Sequence, residues 1–380
     1  MSERKVVFVN QATGYLTIDI VNAFVPYCDQ VAVISWDIRE QDVPLNTSVE
    51  WSKINRYRRE KATTKFSSWL IGTLRIFWLL LTKYRRYEVF YITVPPMAYL
   101  LSLVLPQKFS ILVFDLYPDV LKIYKIGEGN PVYRFWAWCN RRLFKKAHRL
   151  YTLSGGMARL MEQYIPADKI TVIPNWTGLT NIREIEKKDN FFIEEQGLTG
   201  KFIVQYSGNI GVTHNVEVLV QVAELLRHRT DIFFLIIGRG NKYRDIEQLI
   251  ADKKLDNCRI LPYQPDNILN YTLAASDLSV VVLDDISAQV SVPSKIYNIQ
   301  AVGAPILGIA AVNSELARHL QKYQNGVCFP ANNPERIAAY IEDLSASPDT
   351  LQTLQQNARL ASKDFTMANA DQYRKTYFSA

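Results

Sequence analysis

The residues best suited to chemistry lie in short segments rich in glycine, proline and small polar side chains. Residues 289–298 form the most specific segment, because a proline, a hydroxyl and an amine come together where a helix should begin. The pattern predicts Pro293 at the first helical position, with free N–H groups and a lysine that suit a phosphate or another anion. The alternative is a capped helix with a surface lysine. The candidate anion-binding residues here are Ser291, Val292, Pro293, Ser294 and Lys295.

A glycine loop at residues 207–214 is the second candidate. Two glycines and small polar residues follow an apolar run and precede a helical pattern, so their backbone N–H groups could form an anion-binding nest. A plain turn between a strand and a helix fits the same pattern, and the loop histidine is either a phosphate ligand or simply exposed. The residues concerned are Gly208, Asn209, Gly211 and His214.

Two further glycine segments give weaker signals. Gly238 and Arg239 end another apolar run, and the guanidinium could reach a diphosphate, although an exposed arginine fits equally well. Gly14, in the loop at residues 11–15, would let the backbone come close to a ligand. This loop lacks the GxGxxG spacing of a nicotinamide-binding turn, and a bare turn is the alternative.

One carboxylate stands out in the first half of the chain. Asp115 directly follows an apolar run at residues 110–114 and begins the sequence Asp-Leu-Tyr-Pro-Asp. Pro118 should keep Tyr117 extended and delay the next helix, so that Asp115 faces an open cleft. We therefore predict a carboxylate that faces the ligand cleft, with a helix-capping aspartate as the alternative.

These segments need a scaffold of parallel strands, and the rest of the sequence predicts one. Apolar runs of a few residues alternate with helical patterns, and the alternation restarts at Phe202 after a polar segment at 181–197, which we interpret as the linker and lead-in to the second domain. Continuous apolar runs are typical of parallel strands that are covered on both faces. The sequence therefore predicts an α/β protein of two doubly wound domains, whose ligands bind at the carboxyl ends of the strands.

The composition agrees with a folded two-domain protein and limits its partners. The chain has 380 residues, 48% of them hydrophobic, which excludes a disordered or collagen-like protein. Residues 1–175 carry 24 lysines and arginines against 14 acidic residues, whereas the remainder carries 20 against 23, and no tryptophan follows Trp176. A basic, aromatic-rich half suits an anionic membrane surface or nucleic acid. The alternative is a solvated positive face with buried tryptophans.

An apolar stretch in this basic half is a candidate for membrane contact. Residues 66–82 read FSSWLIGTLRIFWLLLT, which is too short for a span and is interrupted by Arg75, so we predict a helix that is buried or lies in a membrane interface. Four scattered cysteines and the absence of a secretory signal pattern predict a cytoplasmic protein without a metal site. The candidate membrane or acceptor residues are Arg58, Arg59, Trp69, Trp78, Arg85 and Arg86.

The order of these motifs resembles that of a known family. Five segments occur at family-like spacing, at residues 115–119, 172–175, 208–211, 238–240 and 292–305. Together they resemble the GT-B glycosyltransferases of family 4, in the bacterial surface-polysaccharide branch, over nearly the whole chain. The resemblance implies two Rossmann-like domains facing a central cleft, with an acceptor domain at 1–180, a nucleotide-sugar donor domain at 181–359 and a helix at 360–380 that crosses back.

The resemblance also implies a reaction. Similar enzymes retain the anomeric configuration and need no metal. They need no cofactor either, because the nucleotide-sugar, here expected to carry uridine, is itself a substrate. Lys295 and backbone N–H groups would stabilise the leaving diphosphate, while Asp115 would orient hydroxyl groups. The acceptor would be lipid-linked or a saccharide in the synthesis of capsule, exopolysaccharide or O-antigen. The enzyme would then work peripherally on the inner face of the plasma membrane.

The sequence departs from the family pattern at several positions. The family often has two glutamates where this chain has Val290 and Asn298, although Asn298 could still hydrogen-bond a ribose hydroxyl. The basic residues that the family often carries in its glycine loop fall on Asn209 and His214. The diphosphate would then rely on backbone N–H groups and on the lysine and arginine named above.

Other functions remain open on the sequence alone. A sugar-nucleotide epimerase on the same scaffold would need acid and base groups in the cleft, and the loops carry few. A non-catalytic GT-B-like binding subunit would account for the missing glutamates. A nucleic-acid-binding function is disfavoured, because no basic loop joins a recognisable reader motif.

Overall fold

The chain forms two α/β units. The computed structural model describes residues 3–58, 62–124, 126–211, 214–283 and 293–379. Unit 1 comprises Met1–Gly178 together with Met367–Ala380, and unit 2 comprises Leu179–Thr366. The sequence places the first division at 180/181 and the start of the returning segment at residue 360. Each unit is built on a parallel sheet, as the continuous apolar runs predict.

Unit 1 contains a seven-stranded parallel sheet. In chain order the nine strands described in unit 1 are β1 Lys5–Val9, β2 Ala12–Thr13, β3 Gln30–Ser35, β4 Asp37–Ile38, β5 Glu50–Lys53, β6 Glu88–Ile92, β7 Phe109–Val113, β8 Leu150–Thr152 and β9 Ile170–Val172. The sheet has the order β5-β3-β1-β6-β7-β8-β9, while β2 and β4 pair only with each other. The apolar residues of β1 and β7 are buried, because the sheet is covered on both faces.

Helices cover the two faces of this sheet. They are α1 Tyr15–Phe24, α2 Ala62–Leu81, α3 Pro131–Lys146 and α4 Gly155–Met161, with 3₁₀ helices at Val25–Tyr27, Ala98–Leu103, Asp119–Tyr124 and Ala167–Lys169. The chain moves one way across the sheet from β1 to β3 and the other way from β5 to β8. Right-handed crossovers therefore put α1 on one face, and α2, α3 and the turn at Ala98–Leu103 on the other. Both α2 and α3 contact that turn.

Unit 2 contains a six-stranded parallel sheet. Its strands are β10 Phe202–Asn209, β11 Ile232–Arg239, β12 Cys258–Pro262, β13 Leu278–Val282, β14 Ile306–Ile309 and β15 Gly326–Phe329. The order is β12-β11-β10-β13-β14-β15, so the direction of chain progression reverses beside β10. In doubly wound sheets ligands bind at the carboxyl ends of the strands next to this reversal.

The helices of unit 2 include one that the sequence did not reveal. They are α5 Phe191–Glu195, α6 Glu217–Leu225, α7 Tyr243–Asp252, α8 Leu269–Ala274, α9 Lys295–Ala301, α10 Glu315–Tyr323, α11 Pro334–Ser345 and α12 Pro348–Ser362, with 3₁₀ helices at Lys187–Asp189 and Asp266–Ile268. The segment interpreted as a linker contains α5. Its Phe192 and Ile193 are buried against Ile203 and Leu235 in the core of unit 2. The sequence did not reveal this helix, because surrounding charged residues mask its short apolar sequence.

The C-terminal helix α13, Ala368–Phe378, belongs to unit 1 and packs along α1. Its Tyr373 and Tyr377 are buried, and the Tyr377 ring meets Phe24 of α1 edge-on at 5.1 Å between centroids. The backbone carbonyl of Tyr373 accepts a hydrogen bond from the Tyr151 hydroxyl at 3.2 Å. The end of the chain therefore completes the core of the first unit.

Candidate functional site

Glycines hold the carboxyl ends of β10 and β11 together in unit 2. Gly208 pairs with Gly238 in the parallel ladder. A Cβ atom on Gly238 would lie 2.0 Å from the Gly208 carbonyl oxygen, and one on Gly240 would lie 2.3 Å from the Ile210 carbonyl oxygen. Only glycine permits these approaches. The two segments therefore form one closely packed edge of the sheet.

Hydrogen bonds complete this edge. The Tyr206 hydroxyl donates to the Asn209 carbonyl at 2.7 Å, and the Ile210 N–H donates to the Arg239 carbonyl at 2.8 Å. The Ile210 carbonyl in turn accepts from the Lys242 N–H at 3.1 Å. Because the ladder continues through Asn209 and Arg239, these are the last residues of their strands, and the predicted glycine loop begins after Asn209 instead of at residue 207.

The loop that follows β10 brings three of the predicted residues together. The N–H of His214 donates to the Gly211 carbonyl at 3.0 Å. A Cβ on Gly211 would lie 2.7 Å from Asn209 Nδ2 and 3.7 Å from His214 Nδ1. The amide of Asn209 and the half-buried imidazole of His214 therefore flank the Gly211 backbone, where both could reach a bound anion.

The amine of Lys295, the first residue of α9, reaches the same edge. Its Nζ lies 4.2 Å from the ring centroid of Tyr206 and 3.4 Å from the position that a Cβ on Gly208 would take. Burial against this aromatic and apolar surface desolvates the amine and lowers the pKa of Lys295 to about 7. Among the described residues no carboxylate lies within ion-pair distance of Lys295. Within the described part of the chain, the site thus holds a desolvated amine without a counter-ion.

The start of α9 differs from the prediction. The helix begins at Lys295, so Pro293 lies two positions before the first helical residue instead of occupying it. The Pro293 carbonyl accepts the N–H of Ile296 at 3.1 Å, which gives a tight first turn, and Ser294 makes no side-chain cap. Val290, Ser291 and Val292 lie outside the described residues.

Three other residues of the expected nucleotide-sugar site lie in different surroundings. Asn298 lies on α9 one turn after Lys295 and is half-buried. Arg239 is exposed and stacks over the ring of Tyr263 at 4.9 Å. Gly14 is the N-cap of α1 in unit 1, where a Cβ would meet nothing within 4 Å, so no close contact of the chain itself requires glycine there.

In unit 1, Asp115 follows β7 in a turn fixed by Thr93. The N–H groups of Phe114 and Asp115 both donate to Thr93 Oγ1, at 3.0 and 3.3 Å. Asp115 is exposed. Surrounding protein atoms nevertheless desolvate its carboxyl group and raise its pKa, while the charge of Lys65 acts in the opposite direction.

The second carboxylate of this turn has a structural role. Asp119 is buried and accepts hydrogen bonds from the hydroxyls of Tyr133 at 2.7 Å and Tyr164 at 2.6 Å. It also forms an ion pair with Lys122 at 3.3 Å. Of the two, Asp115 is therefore the carboxylate that is open to a ligand. Within the described ranges, no three histidine, cysteine, aspartate or glutamate side chains are grouped as metal ligands.

Trp69 does not lie on the exposed surface where a membrane-contact residue belongs. It is half-buried, with its ring edge-on to Tyr117 at 5.8 Å and stacked on Tyr57 at 6.3 Å. Lys65 Nζ lies 4.9 Å from its ring centroid. Trp69 is therefore on the inner side of α2 and beside the Asp115 turn, so its position favours the predicted acceptor role over the predicted membrane contact.

The outer side of α2 carries the exposed apolar residues instead. Trp78 is 67% exposed and Leu74 60% exposed, and the helix contains no acidic residue. The exposed apolar residues of this α2 stripe are Phe66, Leu70, Ile71, Leu74, Trp78 and Leu81. Arg58, Arg85 and Arg86 are exposed near its ends, and Arg59 lies outside the described residues. In the described part of the chain, no helix has the length and apolarity needed to cross a bilayer.

Comparison with known proteins identifies the family. Residues 19–176 match the sequence family described as glycosyl transferase 4-like domain, and residues 187–361 match glycosyl transferases group 1. The two matched regions together span most of both units. The chain belongs to the GT-B glycosyltransferases.

This glycosyltransferase has relatives that are themselves named as glycosyltransferases. It is 25% identical over 247 residues to the glycosyltransferase WbjE of Pseudomonas aeruginosa, covering 64% of this chain and 62% of WbjE. It is 26% identical over 226 residues to WcaI of Escherichia coli K12, whose name is that of a colanic acid biosynthesis glycosyl transferase, covering 58% of this chain and 55% of WcaI. The matches thus span less than two thirds of the length of these relatives.

A solved structure shows the same fold. Anabaena HepE, crystallised in complex with UDP and glucose, superposes with a TM-score of 0.71. The match covers 98% of this chain and 99% of HepE at 14% sequence identity. Both the predicted α/β class and the GT-B architecture are therefore confirmed.

Sequence reasoning missed the aromatic residues that hold the charged groups of this glycosyltransferase. Tyr206 lies under Lys295, and Tyr263 lies under Arg239. Lys65, whose charge lowers the pKa of Asp115, was also missed. Its position four residues before Trp69 places Lys65 and Trp69 on one side of a helix. The two tyrosines gave no local signal, because their partners are distant in sequence.

Proposed function

We propose that this glycosyltransferase moves a sugar from a UDP-sugar to a lipid-linked or saccharide acceptor during synthesis of capsule, exopolysaccharide or O-antigen. The observation that carries the proposal is the Lys295 amine, which is desolvated at the Gly208 backbone without a carboxylate partner among the described residues. Such a site stabilises an incoming anion. The UDP complex of HepE and the name of WcaI support the choice of nucleotide and pathway.

In this proposal the diphosphate lies along the carboxyl end of β10. Lys295 provides the principal positive charge, and backbone N–H groups of the loop after β10 provide hydrogen bonds. Arg239 contributes a second cation from the end of β11. Asn298, on the same helix as Lys295, donates or accepts a hydrogen bond with a ribose hydroxyl where relatives often have a glutamate.

Transfer proceeds with retention of configuration. The acceptor hydroxyl attacks the anomeric carbon from the side that the diphosphate leaves, and the bond between that carbon and the phosphate oxygen breaks. The hydroxyl proton passes to the departing phosphate oxygen. Lys295 stabilises the negative charge that develops on the diphosphate, so the proposed chemistry needs neither metal nor cofactor. Asp115 orients hydroxyl groups, which increases the fraction of productive encounters.

The acceptor is presented at a membrane in this proposal. The α2 stripe would enter the interfacial region of the inner leaflet, with Trp78 as its most exposed aromatic residue. Arg58, Arg85 and Arg86 would contact anionic headgroups near the two ends of the helix. The enzyme would then act peripherally on the cytoplasmic face and meet a lipid-linked acceptor there.

A donor panel tests the proposal. Thermal shift with UDP-, GDP- and dTDP-sugars should raise the melting temperature of the wild-type protein with a UDP-sugar and leave Lys295→Met unchanged, because ligand binding stabilises by mass action. Transfer of label from the same donor to a lipid extract should then require Asp115. Isomerisation of the donor without an acceptor would instead support an epimerase, and binding without turnover on any acceptor would support a binding subunit.

A further inference from the structure

Helix α3 has an unusual distribution of charge. It contains five basic residues and no acidic residue, and all five are exposed. In the described ranges none of them forms an ion pair with a carboxylate. These residues are Arg134, Arg141, Arg142, Lys145 and Lys146. A helix surface with this many unpaired cations attracts an anionic partner.

Large apolar side chains lie among these cations. Val132 is 57% exposed, Phe135 59% and Trp138 44%. The Phe135 and Trp138 rings stack at 6.0 Å between centroids, and the Arg142 guanidinium lies 4.8 Å from the Trp138 centroid. Exposed aromatic residues beside arginines are typical of helices that lie in a membrane interface, where the rings enter the headgroup region and the cations bind phosphates.

A cavity of about 560 Å³ opens on the same face of α3. Arg134 and Arg141 both line it, two helical turns apart with Trp138 between them. Arg141 also lies 5.7 Å from the ring centroid of Tyr164, which forms part of the wall. The cavity therefore combines two guanidinium groups with four aromatic rings, those of Tyr133, Phe135, Trp138 and Tyr164.

The charge of this cavity is positive, because its one carboxylate among the described lining residues is neutralised. Glu128 forms an ion pair with Lys122 at 3.2 Å. Arginine binds phosphate oxygens with a planar pair of N–H donors, and aromatic rings beside it accommodate glycerol or acyl carbons. A phosphate attached to an apolar group fits these properties.

The α3 face and the α2 stripe are on the same side of the unit 1 sheet. Both helices lie on one face of the unit 1 sheet and contact the turn at Ala98–Leu103, so their outer sides point away from the sheet in the same direction. Val104, directly after that turn, is 73% exposed. A bilayer touching the α2 stripe would therefore extend over α3.

We propose that α3 is a second membrane-contact element, and that the cavity beside Arg134 and Arg141 binds the phosphate of an anionic phospholipid. The inference deepens the membrane contact proposed above and rests on it. Two contact helices fix the orientation of unit 1 on the bilayer, which one helix cannot do. A nucleic acid would share the charge complementarity, but it would leave the exposed apolar side chains without a partner.

Flotation of the full-length enzyme with vesicles tests the inference. Vesicles of phosphatidylcholine alone are compared with vesicles that also contain phosphatidylglycerol, at a salt concentration near 0.1 M. Arg134→Gln with Arg141→Gln should weaken binding to the anionic vesicles about 25-fold, which equals about 2 kcal/mol for two cations at 1.4 kcal/mol per tenfold. Binding to neutral vesicles should not change. Phe135→Ser with Trp138→Ser should weaken binding to both kinds of vesicle.

A charge-matched control and a comparison with α2 make the result specific. Arg227→Gln with Lys254→Gln removes two exposed cations from unit 2 and should bind like the wild type. Circular dichroism and the melting temperature establish that each variant is folded. If the α3 variants bind like the wild type while Leu74→Ser with Trp78→Ser does not, the α3 inference is overturned and the α2 contact stands.

Two further outcomes separate the inference from its alternatives. If the wild-type protein floats with neither kind of vesicle, both membrane proposals fail, whereas transfer to a soluble acceptor would still test glycosyl transfer. If millimolar inorganic phosphate or a short RNA competes fully with the anionic vesicles, the cavity binds a soluble anion and the lipid assignment is overturned. Quenching of Trp138 fluorescence by brominated lipid, measured against Trp138→Phe, should place this ring in the interface.

Discussion

Replacement of Lys295 by methionine should stabilise the ligand-free protein while it abolishes donor binding. The pKa of this amine falls from the ordinary 10.5 to about 7 on folding, because Tyr206 and the Gly208 backbone desolvate it. This change corresponds to about 5 kcal/mol between the two protonation states. Methionine has a similar length and no charge to desolvate, so it should recover a part of this energy, about 2 kcal/mol.

The stabilisation should depend on pH in a defined direction. Because the pKa of Lys295 is lower in the folded protein, the unfolded chain binds more protons between about pH 7 and 10.5. The lysine therefore destabilises the protein fully below pH 7, and this penalty disappears as the pH rises towards 10.5. The advantage of Lys295→Met should accordingly be largest at pH 6.5 and small at pH 9.5.

Melting curves without nucleotide measure this effect. For a unit of this size, 2 kcal/mol corresponds to a rise of about 4–8 °C in the melting temperature at pH 6.5. Lys363→Met, at an exposed position in the same unit, serves as the matched control and should give no rise. A Lys295→Met protein that melts below the wild type at pH 6.5, or whose gain is equal at both pH values, would show that the buried amine does not destabilise the folded protein.

Donor binding should restore the charge of Lys295. At pH 8 about nine tenths of the amines with a pKa of about 7 are neutral, so binding of a diphosphate should take up nearly one proton per molecule. Titration calorimetry with UDP-glucose, in buffers of different ionisation enthalpy, measures this uptake, and the diesterified diphosphate does not itself titrate there. Binding should weaken about tenfold per pH unit above pH 7. Binding without proton uptake contradicts the assignment of Lys295 as the diphosphate ligand.

Three further substitutions have distinct expected outcomes. Asp115→Asn should lower kcat about 100-fold and leave the Kd for UDP-glucose unchanged, because the residue orients hydroxyl groups and does not hold the nucleotide; a large change in Kd contradicts this role. Gly240→Ala should lower stability by about 2 kcal/mol in urea denaturation, because its Cβ would lie 2.3 Å from the Ile210 carbonyl, whereas Gly127→Ala, which meets nothing within 4 Å, should have no effect. Asp119→Asn should cost about 2 kcal/mol through its hydrogen bonds to Tyr133 and Tyr164, with donor affinity retained; unchanged stability excludes this structural role.

The sequence predicted the fold well where strands are buried on both faces. Continuous apolar runs such as those of β1 and β10 have no close alternative, and their alternation with helical patterns indicates the parallel sheets. Strand β5 was missed because it lies at the edge of its sheet and only Ser52 of its four residues is buried, and β15 was missed because all its residues are half-buried. Neither pattern has the uniform apolar character of a central strand.

The candidate site was predicted in part. The glycine loop and Lys295 were identified from their types and spacing, but their contact depends on Tyr206, which is distant in sequence and is brought there by the order of the strands. The exposed sides of α2 and α3 required the structure for a similar reason. Tryptophans occur on both sides of α2, and only the packing against Tyr117 shows that Trp69 is on the inner side.

Transfer of labelled sugar to a lipid acceptor is the direct test of the proposed reaction. Wild-type enzyme is incubated with a radiolabelled UDP-sugar and a lipid extract from bacterial membranes, and label is counted in the organic phase. We expect incorporation by the wild type, at least 100-fold less with Lys295→Met, and incorporation near the wild-type level with the surface control Lys363→Met. Incorporation by Lys295→Met at the wild-type rate, or none by the wild type with any UDP-sugar and acceptor extract, would contradict this expectation.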